Sequence, residues 1–167
     1  MNNVQKYNLL VFGEIDINNL DDNYEREIVI NGNKIVANLN FDEKNVKAEN
    51  FTTITKVLNE IDKFENIAKA EIENDFKNGT EVKDYIEHHL EEIDFEHLNL
   101  KIDESDFVNS VENEMFKKLH LSCISFYPEY DDEHIVFDYT IGKDLTDLLV
   151  VVKFNNNGEL EELVMES

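Results

Sequence analysis

Residues 121–165 constrain the fold more than any other stretch, because they read as consecutive β-strands. Strands are expected over 122–127, 135–141, 148–154 and 160–165. Ile135, Phe137, Tyr139 and Ile141 alternate with smaller or polar residues, the period-2 pattern of a strand with one buried face. Leu148-Leu149-Val150-Val151-Val152 is apolar on both faces, as expected of a central strand covered on both sides. Asn155-Asn156-Asn157-Gly158 tolerates positive φ, so the chain can reverse there into its last strand. Such a sheet is a floor for helices.

The N-terminal part supplies a second strand region. Residues 7–12 read as a short strand broken at Gly13, and 14–22 as polar and turn-rich. Between apolar runs at 25–30 and 34–41, Asn31-Gly32 is the two-residue signal for a type I′ hairpin, since both positions accept positive φ. Ile28 and Ile30 share one face of its first strand; Ile35, Ala37, Leu39 and Phe41 share one face of its second.

Helical periodicity fills the middle. Phe51, Ile54, Val57, Leu58 and Ile61 recur on one face at 100° per residue. A bend is expected at 62–65 and a less regular helix over 66–77, where Ile67, Ala70, Ile72 and Phe76 spread widely. Asn78-Gly79 is a helix stop and Thr80 an N-cap for a third helix. Its apolar face carries Val82, Tyr85, Ile86, His89, Leu90 and Ile93, with His88 opposite. A loop over 95–101 leads to a fourth helix striped by Phe107, Val108, Val111, Met115 and Leu119. Strands, then helices, then strands predict an α+β fold: a mainly antiparallel sheet, formed by the N-terminal hairpin and C-terminal strands, with about four helices packed on it. At 167 residues, with no Pro-, Gly- or Ser-rich linker, the chain reads as a single domain over 1–167.

Charge narrows the function classes. With 38 acidic against 15 basic residues the formal charge is −23. Such a surface repels phosphates and anionic headgroups, which argues against nucleic acid or membrane as partner and is compatible with a basic protein. The longest apolar run is far below the ~20 residues that span a bilayer. Leu9-Leu10-Val11-Phe12 lacks the basic start and cleavage site of a signal peptide, so a cytoplasmic location is expected. Cys123, the single cysteine, sits in an expected strand and reads as a buried, inert thiol.

No catalytic signature stands out. His88-His89 lacks the four-residue histidine spacing of a zinc helix, and His89 falls on the apolar face. The acidic stretch 84–106 has no calcium-loop pattern. Phosphate-cradling loops, nucleophile elbows and Cys-x-x-Cys pairs are missing from the sequence, so no catalytic, cofactor-binding or metal-ligating residues are assigned and no cofactor is expected. One acidic cluster differs by its aromatic neighbours: Glu129, Asp131, Asp132 and Glu133 beside Tyr127 and Tyr130. Tyrosines give contact area while acids steer a basic partner, so these six are the candidate partner-binding residues.

The segments Phe12-Gly13-Glu14-Ile15, Ile30-Asn31-Gly32-Asn33-Lys34, Tyr85-Ile86-Glu87-His88-His89-Leu90 and 149–167 together resemble an uncharacterised bacterial family. It is known only by a domain-of-unknown-function label, the one numbered two thousand and four. The resemblance spans most of the chain and rests on turns and core patterns. It implies a compact intracellular bacterial protein, and it carries over no functional residues. In size and acidity the chain is also similar to immunity proteins that neutralise toxins. The expectation is therefore a non-enzymatic protein-binding module, immunity-protein-like. The alternative is a small-molecule-binding or enzymatic domain with a pocket between helices and sheet around Tyr85, His89 and Tyr139.

Overall fold

The computed structural model describes residues 5–93, 100–101 and 104–167. Strands β1 (Lys6–Leu9) and β2 (Gly13–Asp16) form a separate two-stranded hairpin. Strands β3 (Asn23–Ile30), β4 (Asn33–Asn40), β5 (His120–Phe126), β6 (Ile135–Thr140), β7 (Leu149–Phe154) and β8 (Leu160–Glu166) lie side by side in that order in one sheet. Helices α1 (Phe51–Asn59), α2 (Ile61–Asn78), α3 (Glu81–Glu92) and α4 (Phe107–Phe116) all fall between β4 and β5. That long crossover explains the one parallel pairing in the sheet, β4 with β5, where Val36 lies beside Cys123 and Leu39 beside Phe126. The other pairings are antiparallel. The fold is α+β, with an antiparallel-rich sheet and four helices among the described residues.

The expected hairpin forms. Asn31 and Gly32 have φ of 49° and 83°, and Ile30 pairs with Asn33 across them. The inner face of the sheet carries Ile35, Ala37, Leu39, Ile124, Phe126, Phe137, Val150, Val152 and Phe154, all buried in one apolar core. Helix α1 meets it through Phe51, Ile54, Val57 and Leu58. Phe64 of α2 packs edge-on to Phe154, ring centroids 5.5 Å apart, and Phe12 beside the β1–β2 hairpin does the same to Phe126 at 5.9 Å.

Several local expectations are corrected. The first strand stops at Leu9 instead of running to residue 12, and the stretch read as turn-rich contains β2. A tight hairpin does this because it buries Leu9, Phe12 and Ile15 together. The bend expected at 62–65 falls instead at Glu60, whose φ and ψ are −121° and 31°. Residues 62–65 stay helical because Phe64, Ala68 and Ile72, one turn apart, make a buried stripe. Thr80 stands at the N-cap of α3 but makes no side-chain cap; Asp75 Oδ1 accepts the Val82 N–H instead, at 2.7 Å. Gly79 permits that turn, since a Cβ there would lie 2.0 Å from Asp75 Oδ2. Phe107 and Val108 are exposed at the first turn of α4, whose buried residues are Val111 and Met115, with Phe116 packed partly buried against the core. The loop expected over 95–101 lies mostly outside the described residues. On the outer face of β7, Val151 is buried but lies outside the apolar core, between Asp138 and Val164. Among the described residues no helix is long and apolar enough to cross a membrane.

Candidate functional site

The outer end of the sheet, where the β5–β6 and β7–β8 connections meet, is hollow. A cleft of about 540 Å³ is lined there by Tyr130, Asp131, Asp132, Glu133, Lys153, Glu161 and Glu162. Four of the six sequence-derived candidates therefore share one concavity. Alternation along β7 puts Val150, Val152 and Phe154 inward and Lys153 outward, opposite Glu162 of β8.

Lys153 is nearly buried and sits in a cage of carboxylates. Its Nζ lies 2.6 Å from Glu133, 2.6 Å from Glu166 and 3.4 Å from Glu162. Burial alone would favour the neutral amine, but the bonds to Glu133 and Glu166 outweigh it and hold the ammonium well above its usual pKa. One cation thus faces several acids, and the cleft keeps a net negative character.

Several of the six candidates also act as anchors. Glu129 is turned away from the cleft; its carboxylate accepts the backbone N–H groups of Asp42 at 2.6 Å, Asn45 at 2.9 Å and Glu43 at 3.2 Å. It pins the loop after β4, in which Lys44 adopts φ 57°. The Tyr130 hydroxyl donates to Asp42 Oδ2, and that carboxylate raises the phenol's pKa. Tyr127 is half-buried, packed against Tyr130 with centroids 6.0 Å apart, and burial raises its pKa. Asp131 ties two loops together: its carbonyl accepts Asn156 N–H at 2.7 Å, and its carboxylate accepts the Asn156 side-chain amide at 2.6 Å. Asp132 is exposed at the rim.

Sequence reading missed Lys153, Glu161, Glu162 and Asn156. The signal for Lys153 was available, since it is the single charge inside the apolar run Val150-Val151-Val152-Lys153-Phe154. Glu161 and Glu162 enter through the antiparallel return of β8; the reversal is readable at Asn155-Asn156-Asn157-Gly158, but the register that sets Glu162 opposite Lys153 is not.

The alternative pocket residues separate. Tyr85 and His89 pack together, ring centroids 4.3 Å apart, and satisfy each other's surroundings. His89 Nδ1 must carry the proton it gives the Tyr85 carbonyl at 2.6 Å, so Nε2 accepts from the Thr146 hydroxyl at 2.8 Å. The Tyr85 hydroxyl accepts Ile141 N–H at 3.2 Å and donates to the Leu148 carbonyl. Burial lowers the pKa of His89, which is a closed core histidine; His88 is exposed. Tyr139 belongs to a different cleft, with Ile72, Phe116 and Leu119.

Cys123 is buried, with its Sγ 3.3 Å from Asn38 Nδ2 and 3.6 Å from Ser125 Oγ, and burial pushes the thiol up. Among the described residues no three His, Cys, Asp or Glu side chains are grouped to hold a metal ion. Comparison with protein-family models, curated proteins and solved structures finds no match for this chain.

Proposed function

We propose that this chain is a non-enzymatic protein-binding module whose acidic cleft receives a basic segment of a partner protein, as an immunity protein receives a toxin. The carrying observation is the cleft itself: five carboxylates, those of Asp131, Asp132, Glu133, Glu161 and Glu162, around one ammonium that Glu133 and Glu166 already engage. Its walls are fixed before any partner arrives, by the Asp131–Asn156 and Tyr130–Asp42 bonds, so little ordering is required on binding. Exposed Tyr130 at the rim adds contact area. In this reading the partner is neither nucleic acid nor a membrane surface, and the chain is a member of the bacterial family that its turn motifs resemble.

The test uses a partner captured from native cell lysate and followed by association kinetics. Between low and physiological salt the association rate should fall steeply, because steering acts within a Debye length of ~8–10 Å. Asp132→Lys and Glu161→Lys should slow association far more than they change thermal stability. Asp131 is a poor choice for reversal, since its carboxylate also ties the two loops. A partner indifferent to salt and to both reversals would leave the acidity without a recognition role.

A further inference from the structure

The two edges of the six-stranded sheet are guarded differently. At the β8 edge the Met165 N–H is already engaged by Glu81 Oε2 at 2.9 Å, and the pairing with β7 slips between Lys153 and Phe154. Strand β3, at the other edge, pairs with β4 from Asn23 to Ile30 without a slip and contains no proline. Because Ile30 and Asn33 close a two-residue turn, Ile30, Ile28, Arg26 and Tyr24 direct their backbone groups at β4. Val29, Glu27, Glu25 and Asn23 therefore direct theirs outward. One outward carbonyl shows what the edge lacks: that of Glu25 accepts from the guanidinium of its own neighbour, Arg26, at 2.7 Å. An unbroken edge of this kind is a template for one more strand.

Charge decides which strand fits. On the outer face of the sheet Glu25 and Glu27 stand exposed in succession, followed by Val29, which is 65% exposed. On the inner face Tyr24 and Ile28 are partly buried against the core, with Arg26 exposed between them. Lys34 reaches Glu27 from β4 at 2.7 Å, but both side chains are mostly in water, where such a pair holds weakly and can be shared. The two acids guard the edge against another copy of this chain, which carries a charge of −23 and would bring the same acids to the junction. A strand of opposite charge they attract. We propose that the β3 edge takes an extended basic segment of a partner protein as a seventh, antiparallel strand, with basic side chains opposite Glu25 and Glu27 and apolar ones opposite Tyr24 and Ile28.

This surface shares no residue with the acidic cleft and does not rest on the reading of that cleft. The probe is a short capped peptide alternating lysine with valine, titrated into the isotope-labelled full chain at physiological salt. The amide resonances of Asn23, Glu25, Glu27 and Val29 should shift saturably, and their N–H groups should gain protection from hydrogen exchange. In an antiparallel strand the lysines opposite these residues point their own N–H groups at β3, whereas the valines point theirs away. Methylating the lysine backbone nitrogens should therefore weaken binding about ten-fold or more, the worth of a net hydrogen bond. Methylating the valine nitrogens instead, which leaves charge and composition the same, should not. A glutamate–valine peptide should not bind. Val29→Pro removes an outward N–H without touching the β4 ladder, and should weaken the unmodified peptide by a similar factor. The proposal is overturned if β3 shows no saturable shifts, or if the shifts fall on Asp131, Asp132 and Glu161 instead. It is overturned equally if the two methylated peptides bind alike, since charge alone then accounts for the attraction. A chain that sediments as a dimer without peptide, its β3 amides already protected, would make a second copy the occupant and overturn it too.

Discussion

The two faces of the six-stranded sheet solve burial in opposite ways. The inner face is apolar at every central position, from Ile35 and Leu39 through Ile124, Phe126 and Phe137 to Val152 and Phe154, and helices cover it. Across the same strands the outer face carries Asn38, Cys123, Ser125, Asp138 and Lys153, several of them nearly as buried. Inner residues are held by removal from water; outer ones are held by partners, such as the Lys153 carboxylate cage and the Asn38–Cys123–Ser125 contacts. Stability should therefore be concentrated on one face, and electrostatic sensitivity on the other.

The largest effect should come from the inner face. Phe154 is fully buried against Phe64 and Phe137, with ring centroids 5.5 and 5.4 Å away. Phe154→Ala should cost about 3–5 kcal/mol, as lost transfer energy plus a cavity, and the loss should be insensitive to salt. Urea unfolding at low and high salt checks both statements. A loss under ~1 kcal/mol would mean that the helices are not seated on this face.

Lys153, one residue earlier and on the opposite face, should behave differently. Lys153→Met keeps the side-chain length but leaves Glu133, Glu162 and Glu166 facing one another. Those carboxylates are about half exposed, so solvent screens much of the repulsion and a loss of about 2 kcal/mol is expected. Added salt should recover part of it, unlike the Phe154→Ala deficit. An equal loss at all salt concentrations would make Lys153 a packing residue and erase the contrast between the faces.

The inner face was legible in the sequence because period-2 alternation encodes it directly: Ile135, Phe137 and Tyr139 are each buried. The hairpin was equally plain, since Asn31-Gly32 needs only local backbone chemistry. The outer face was not. Whether Asp138 is solvated or crowded depends on Glu166, which arrives from the far end of the chain through β8. Glu129 looks like one more surface acid until residues 42–45 fold back and offer it three backbone N–H groups. The Tyr139 cleft depends likewise on where α2 and α4 cross β6, which alternation along β6 does not encode.

Asp138 gives the smallest expected effect and the one with a distinct sign. Burial, then repulsion from Glu166, raises its pKa from 3.8 to about 6, while Lys143 and Cys123 act the other way. The folded state thus binds this proton more tightly than the unfolded chain does. Between about pH 4 and 6 the native form holds more protons, so this group's contribution to stability falls as pH rises through that window. Above pH 6 its ionised form imposes the full penalty, and Asp138→Asn should relieve it, stabilising the protein by about 1–2 kcal/mol at pH 8. At pH 4, where the native carboxyl is already protonated, the variant and parent should have nearly equal stability. His89 and His134, whose pKa values burial lowers, act in the opposite direction: their contribution is present above the unfolded histidine pKa and is lost as pH falls. The parent's own profile therefore mixes both slopes, and the difference between variant and parent, measured by urea unfolding at each pH, isolates Asp138. A difference that stays flat from pH 4 to pH 8 would place this carboxylate in water, and the outer face would then be an ordinary solvated surface instead of a second, polar interior.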